Sequence, residues 1–224
     1  MTLSQFWKKI YSNPRRIARR RRWGIPAMTA FRDAMAKAGI PWSPVYGTLL
    51  GAIREKGFIP HDDDIDTGVW NDAIPGGLEN LHRCLEEAGF TYAHSLLVDG
   101  GAFAREETWK WHGLHVDIFF FDTIEGERCK GYMFYPFKGT ANFRESKKLY
   151  GGLRVVEFEV PFSKETEMLP FDGIQIPVTK SAEGFVVARY GLDWRTPDPT
   201  FVYPRPGVSG NVERPDKLAV KTVE

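Results

Sequence analysis

The sequence predicts an α+β domain in which helices flank a mixed sheet. Its 224 residues suit one domain with an elaborated edge, long enough to bury a hydrophobic core. Apolar residues recur with helical spacing in some stretches and alternate as in strands in others, in the order helix, strand, helix, strand, helix, strands. No internal repeat is present, so a repeat architecture is not indicated.

Glycines and prolines separate the elements of the first part of the chain. The predicted elements here are a helix over 25–38, a short buried strand at 45–46, a helix over 48–55, a strand over 64–70 and a helix over 78–88. Gly39, Gly57 and Gly89 follow the three helices, as is common at helix C-termini. Thr48 is expected to cap the second helix.

Strands dominate the rest of the chain. We predict strands at 90–94, 102–108 and 114–121, hairpin material between 128 and 160, an extra hairpin of 169–171 with 174–178, and a helix over 181–190. After Pro197 the chain is rich in Pro and Gly and lacks periodicity. Residues 198–224 are therefore expected to form an extended or disordered C-terminal extension.

Basic residues are concentrated in the first 24 residues, which we treat as a separate segment. This segment holds eight Lys or Arg and no acid, so the remainder carries 22 basic against 29 acidic residues, a net charge of −7. The segment could rest on anionic lipid, or it could be a solvated helix or a frayed arm. Because the remainder is acidic, nucleic acid is not expected as a partner.

Location and redox state follow from simpler features. No apolar run reaches the roughly 18 residues that a membrane span requires, and the start lacks the basic-then-apolar order of a secretory signal. We expect a cytoplasmic protein, with peripheral contact at the inner membrane face left open by the basic segment. Cys84 and Cys129 are the only cysteines and have no metal-binding spacing, so both are expected to be free thiols.

An acidic cluster, "HDDDID", directly precedes an apolar strand. Asp64 and Asp66 are two positions apart, so their side chains project from the same face of the strand. Two carboxylates held this close repel unless a cation lies between them, and Mg²⁺ or Mn²⁺ fits oxygen ligands best. Asp117, in "LHVDIFFF", is a third carboxylate with apolar neighbours, costly to bury unless it is paired or metal-bound. Alone, such a cluster is more often a solvated loop or a capping turn.

A possible phosphate site precedes the aspartates. Gly47 and Thr48 lie at a predicted junction of strand and helix, where backbone N–H groups and the helix dipole attract phosphate. This order, with an acid-apolar-acid strand and a later lone acid, resembles the nucleotidyltransferase fold. The stretches "YGTLLGAIREKGFIPHDDDIDTGV", "HVDIFFFD" and "LPFDGIQIPVTKSAEGFVVARYGLDWRTP" resemble the LicD family of phosphorylcholine transferases, related to the catalytic domains of fukutin and fukutin-related protein. His61 replaces a Trp that is usual in the family, and "FFFD" replaces Phe-Pro-Leu-Asp; both departures bear on substrate choice.

The resemblance implies a catalytic domain over 25–197 and a reaction. A substituted phosphate such as phosphocholine would pass from a CDP-linked donor to a hydroxyl of a cell-surface glycan, releasing CMP, with Mg²⁺ or Mn²⁺ as cofactor. The implied catalytic and metal-binding residues are Asp64, Asp66 and Asp117, the last also accepting or helping to remove the hydroxyl proton. The implied donor-binding residues are Gly47, Thr48, Arg54 and Lys180. Arg54 could equally be a surface charge and Lys180 a solvated residue at a helix start.

Three other functions remain open from the sequence. A sugar-nucleotide glycosyltransferase also holds a metal and a diphosphate with an Asp-x-Asp strand, but it needs a nucleotide-binding half before the motif, and Asp64 comes early for that. A glycan-binding or membrane-surface module could hold Ca²⁺ structurally in the acidic loop. Nucleotidyl transfer would use the same site and attack a different phosphorus.

Overall fold

One strongly curved sheet organises the chain. The computed structural model describes residues 14–198 and 210–223. Within them the helices are α1 Pro14–Ala38, α2 Tyr46–Arg54, α3 Gly77–Glu87, α4 Phe143–Tyr150 and α5 Ala182–Tyr190. The strands are β1 Trp42–Pro44, β2 Ile65–Trp70, β3 Thr91–Val98, β4 Ala104–Trp111, β5 Leu114–Thr123, β6 Arg128–Tyr135, β7 Leu153–Pro161, β8 Thr166–Phe171, β9 Ile174–Thr179 and β10 Val212–Thr222. No helix of this described part is long and apolar enough to cross a membrane.

The large sheet is mixed, as predicted. Its eight strands have the order β1-β2-β5-β4-β3-β10-β7-β6. Strands β2 and β5 run parallel, whereas the other neighbouring pairs are antiparallel. Strand β6 also pairs with the end of β5, at Asp122 with Lys130 and at Thr123 with Cys129. Six strands, β5, β4, β3, β10, β7 and β6, therefore close into a ring, and β8 with β9 forms the predicted extra hairpin beside it.

Aromatic side chains fill the core between the sheet and the helices. Trp70, Trp109, Phe121, Phe162 and Phe185 are fully buried. The Trp70 ring stacks on Phe162 at 4.4 Å, and its indole N–H donates to the Phe162 carbonyl. Burial of such rings supplies much of the hydrophobic stabilisation of a domain. Both cysteines are buried and free, as expected.

The N-terminal boundary differs from the predicted one. Residues 1–24 were expected to form a segment separate from a domain that begins at 25, but α1 runs from Pro14 through Pro26 to Ala38 without interruption. The basic residues predicted a segment that rests on lipid, is solvated or is frayed, whereas the side chain of Arg20 is buried in the fold. Residues 1–13, which hold the rest of the basic segment, lie outside the described residues.

The C-terminal extension is in part a strand of the sheet. Residues 212–222, expected in an extended or disordered tail, pair with β3 on one side and β7 on the other. The register shifts between Arg214 and Leu218, and Pro215 lies in that irregular stretch, where a missing N–H is tolerated. Since backbone pairing holds β10 and only Ala219 in it is fully buried, the strand lacks the apolar alternation that sequence patterns require.

Two local predictions were also wrong. Thr48 does not cap α2, because the helix begins at Tyr46 with Val45 as its N-cap residue. Helix α4 lies between β6 and β7, where only hairpin material was predicted. Its N-cap is Asn142, whose side chain accepts from the Glu145 N–H, and its buried side is small, so apolar periodicity did not mark it.

Candidate active site

Strand β2 positions the first two aspartates. Asp64 lies directly before the strand, and Asp66 is its second residue. The Asp66 backbone is held on both sides: its N–H donates to the Thr48 hydroxyl at 2.9 Å, and its carbonyl accepts from the Val45 N–H at 3.1 Å. The start of α2 therefore fixes the position of this strand, although Thr48 was predicted to act only on the helix and the phosphate.

Strand β5 brings Asp117 to the same place. In the parallel pairing of β2 and β5, Asp66 and Asp117 are direct partners, so their side chains lie on one face of the sheet. One carboxylate oxygen each from Asp64, Asp66 and Asp117 lies within 4.8 Å of the others. The Thr108 hydroxyl, from β4, donates to Asp117 Oδ1 at 2.6 Å and orients that carboxylate. The three predicted acids thus form one carboxylate cluster.

The electrostatics of the carboxylate cluster favour a bound cation. Burial, followed by the charges of neighbouring aspartates, raises the pKa values of Asp64 and Asp66 well above their usual range. Burial also raises the pKa of Asp117 to about 6, against the effects of the Thr108 hydrogen bond and the Arg16 charge. Such a group of acids must bind protons or be neutralised by a cation. Its all-oxygen donor set fits a hard divalent ion such as Mg²⁺ or Mn²⁺.

A basic side chain from α1 already contacts the carboxylate cluster. Arg16 Nη2 lies 3.1 Å from Asp64 Oδ2 and 3.2 Å from Asp63 Oδ1. One turn further along α1, the Arg20 guanidinium donates to the carbonyls of the loop before the strand: Ile59, Pro60 and Asp62. Helix α1 therefore holds the acidic loop against the fold. The sequence pattern predicted that these arginines belong to a separate basic segment.

A fourth aspartate faces the start of α2. Asp62 Oδ2 is buried and has no hydrogen-bond partner among the described residues, and burial raises the pKa of Asp62 to about 6. A Cβ placed on Gly47 would lie only 2.6 Å from this oxygen, so glycine is needed for the close approach. The carboxylate of Asp62 thus lies where the sequence predicted a phosphate.

The other predicted donor-binding residues have different partners. Arg54 donates to Glu55 Oε1 at 2.7 Å and to the Trp194 carbonyl at 3.1 Å. Lys180 pairs with Glu165 at 2.8 Å on the surface. Neither contact joins these two side chains to the carboxylate cluster. Their roles, like those of Gly47 and Thr48, stay predictions.

Glu106 is a further acid that the sequence reasoning missed. It lies on β4 two residues before Thr108, the partner of Asp117 in the antiparallel pairing, so it occupies the same face. Burial and the charges of Asp117 and Asp64 raise its pKa to about 8. The place of Glu106 on this face depends on a two-residue hairpin loop in which His112 and Gly113 both have positive φ, because that loop fixes the register of β4 against β5.

The fold and the site together define the class of this protein. A mixed sheet carries three carboxylates where an acid-apolar-acid strand lies parallel to a strand with a lone acid, which is the arrangement of the nucleotidyltransferase fold. The family described as LicD/FKTN/FKRP, nucleotidyltransferase domain, matches residues 39–180, a range that includes all three acids and more than half of the chain. The chain belongs to this family.

Two curated proteins show how far the similarity extends. Ribitol 5-phosphate transferase FKRP of Mus musculus is 26% identical over 209 residues, which is 87% of this chain and 35% of that protein. Uncharacterized protein RP689 of Rickettsia prowazekii (strain Madrid E) is 28% identical over 99 residues, which is 41% of this chain and 36% of that protein. The chain matches only about a third of the length of these relatives.

Proposed function

We propose that this protein is a transferase that moves a substituted phosphate, such as phosphocholine, from a CDP-linked donor to a hydroxyl of a cell-surface glycan. The observation that carries the proposal is the direct pairing of Asp66 with Asp117 on parallel strands, with Asp64 beside them. Family membership and the similarity to a protein named as a ribitol 5-phosphate transferase support the substituted-phosphate class.

The proposed reaction is a substitution at phosphorus. The acceptor oxygen forms a new bond to the phosphorus of the substituted phosphate, the bond from that phosphorus to the bridging oxygen breaks, and CMP leaves with that oxygen. Asp64, Asp66 and Asp117 would hold Mg²⁺ or Mn²⁺, which supplies Lewis-acid stabilisation of the phosphate charge. Asp117, oriented by Thr108, accepts or helps to remove the hydroxyl proton.

Donor binding is assigned to the start of α2 and to two basic side chains. Gly47 and Thr48 would contact phosphate through their backbone N–H groups, whereas the buried Thr48 hydroxyl, which accepts from the Asp66 N–H, would first have to become accessible to the donor. To reach the donor, Arg54 would have to give up its hydrogen bonds to Glu55 and to the Trp194 carbonyl. Lys180 would have to give up its hydrogen bond to Glu165. Asp62 would have to turn away from Gly47 or stay protonated, because a carboxylate beside that glycine repels a phosphate.

A panel of CDP-linked donors tests the proposal. CDP-choline, CDP-ethanolamine, CDP-glycerol and CDP-ribitol are incubated with the protein and Mg²⁺, with and without a cell-surface glycan fraction, and CMP release is measured. We expect release from at least one donor, stimulated by glycan and reduced at least about a hundredfold in Asp66→Asn. Pyrophosphate release from a nucleoside triphosphate would instead establish nucleotidyl transfer, and release of a nucleoside diphosphate from a sugar nucleotide would establish glycosyl transfer.

We further propose a cytoplasmic location at the inner membrane face. The support is the exposure of Arg15, Arg19, Arg21 and Arg22 on α1, since each basic residue near anionic lipid adds about 1 kcal/mol of attraction. Flotation with vesicles that contain phosphatidylglycerol, compared with pure phosphatidylcholine vesicles, should show binding only to the anionic ones, and 0.5 M salt should abolish it as expected from a Debye length of about 4 Å. Equal binding to both vesicle types contradicts the proposal.

A further inference from the structure

Arg16 connects the basic helix with the carboxylate cluster, and nothing in the proposed reaction uses it. Its Nη2 donates to Asp64 and lies beside Asp63, while its side chain stays 33% exposed. Its charge also acts on the pKa of Asp117, against the larger effect of burial. The guanidinium therefore lies at the open rim of the cluster rather than on a remote surface.

The packing of α1 builds this position. Arg20, four residues along the same helix face, is buried and anchored on three loop carbonyls. Gly24, another turn on, lets the helix approach Phe58, because a Cβ there would lie 2.8 Å from the ring. The turns that contain Arg20 and Gly24 thus pack against the acidic loop and Phe58. This packing places Arg16, one turn earlier, beside the carboxylate cluster.

Some N–H groups of the Arg16 guanidinium have no hydrogen-bond partner among the described residues. Only Nη2 of Arg16 contacts a carboxylate, and neither Nε nor Nη1 has a partner among the described residues. The planar fork of arginine matches phosphate oxygens as well as it matches carboxylate oxygens, two N–H groups at a time. Asp64 accepts from Arg16 and is also one of the three carboxylates assigned to the cation. When Asp64 binds the cation, Arg16 can therefore donate to another acceptor.

We propose that Arg16 binds the diphosphate of the donor, on the α1 side of the carboxylate cluster. This inference rests on the proposed function and adds a specific binding residue to it. With Asp64 committed to the cation, a diphosphate oxygen replaces Asp64 as the acceptor for Arg16, while Asp63 keeps the guanidinium in place. Part of the basic segment thereby serves the donor and not only a surface.

Separate titrations of Mg²⁺ and CDP test the inference. The full chain, Arg16→Gln, Arg16→Lys and the control Lys37→Gln are titrated calorimetrically with Mg²⁺ alone and then with CDP at saturating Mg²⁺. Lys37 is exposed on the same helix, about 30 Å from Arg16 along the helix axis. Its substitution by glutamine removes one positive charge, as Arg16→Gln does. We expect Arg16→Gln to weaken CDP binding at least about tenfold and to leave Mg²⁺ binding unchanged or tighter, with Arg16→Lys intermediate and Lys37→Gln like the wild type.

Other outcomes overturn the inference in distinguishable ways. Equal CDP affinity in the wild type and Arg16→Gln shows that Arg16 does not bind the diphosphate, while the proposed function stands. Parallel loss of Mg²⁺ and CDP affinity shows that Arg16 only positions the acidic loop. Tighter binding of both ligands shows that Arg16 blocks the cluster. A wild type that binds neither Mg²⁺ nor CDP overturns the proposed function itself.

Discussion

At the residue scale, one hydroxyl connects the start of α2 to the strand that carries Asp66. Thr48 is 1% exposed, and its side chain is the acceptor for the Asp66 N–H. Because a buried N–H that loses its partner is costly, this bond helps to keep Asp66 in register with Asp117.

We expect Thr48→Val to destabilise the protein and the carboxylate cluster together. The shape is nearly conserved, but the Asp66 N–H loses its acceptor, which costs about 1–3 kcal/mol. Chemical denaturation measures the stability, and Mg²⁺ titration should show weaker binding. Thr123→Val is the control, since that threonine is exposed and bonds Asp72 at the surface. Equal effects of the two substitutions would show that the Asp66 contact has no special role.

Glu106 gives a pH-dependent prediction at the same scale. Its folded pKa of about 8 lies above the usual value of 4.5, so the folded state holds this proton more tightly than the unfolded state does. The wild type should therefore lose stability from Glu106 as pH rises from about 4.5 to about 8, at up to about 1.4 kcal/mol per pH unit.

We expect Glu106→Gln to remove that pH-dependent loss in metal-free protein. The variant should be more stable than the wild type by up to about 4 kcal/mol at pH 8, and the difference should vanish near pH 4.5. Urea denaturation across this pH range, in the presence of a chelator, measures both. Glu167→Gln, an exposed acid on β8, should not change the pH profile. A difference between Glu106→Gln and wild type that stays constant with pH contradicts the assignment.

Three acids were predictable from the sequence, and two other groups at the site were not. Asp64, Asp66 and Asp117 each interrupt an apolar strand pattern, so the cost of burying them signals a function. Arg16 and Glu106 carry no such local signal. Arg16 reaches the site through the packing of α1, and Glu106 through the register of a hairpin, and both are tertiary facts.

At the scale of elements, α1 holds the acidic loop, residues 59–64, in place through hydrogen bonds from Arg20. The Arg20 guanidinium satisfies three carbonyls of that loop and lies 5.0 Å from the centre of the Phe58 ring. Burial lowers the pKa of Arg20, although the charge of Asp62 opposes this, which reflects the cost of desolvating the group.

We expect Arg20→Met to loosen α1 from the loop. Methionine keeps much of the volume but leaves buried carbonyls without a donor, at a cost of about 3 kcal/mol or more. Hydrogen exchange should speed up in the first three turns of α1 and in residues 59–62. Arg22→Met is the control, because Arg22 is exposed and its guanidinium lies over the Trp23 ring, a contact worth less than about 1 kcal/mol. Unchanged exchange in Arg20→Met would show that the helix is held elsewhere.

The elements themselves were predictable where side chains form a periodic pattern. The strand with Asp66 and the helix before Gly89 follow their apolar spacing, and the structure confirms both within a residue or so. Helix α4 and strand β10 were missed for one shared reason. Helix α4 is stabilised by its Asn142 cap, and β10 by backbone pairing on both sides of an irregular stretch. Because each buries little apolar surface, neither shows apolar periodicity in the sequence.

At the scale of the whole molecule, the ring of six strands makes the far end of the chain part of the fold that carries the site. Strand β10 lies between β3 and β7, and β4 and β5, which hold Glu106 and Asp117, belong to the same ring. A second, smaller core lies at this part of the sheet, with Val98, Leu153 and Ala219 fully buried. The strands that hold Glu106 and Asp117 are therefore joined in one ring with residues about a hundred positions away in sequence, and we expect the carboxylate cluster to depend on them.

A matched pair of substitutions on β10 tests this dependence. Ala219 is fully buried, whereas Val220, the next residue, is 40% exposed and faces the other side of the strand. Ala219→Asp places an unpaired carboxylate in the smaller core and should destabilise the protein by more than about 3 kcal/mol, whereas Val220→Asp should change stability by less than about 1 kcal/mol. Thermal unfolding measures both. Because β10 closes the ring that contains β4 and β5, the amide N–H groups of Thr108 and Asp117 should also exchange faster in Ala219→Asp and not in Val220→Asp. If Ala219→Asp leaves the exchange of these amides unchanged, β10 is an accessory strand and the site is independent of ring closure.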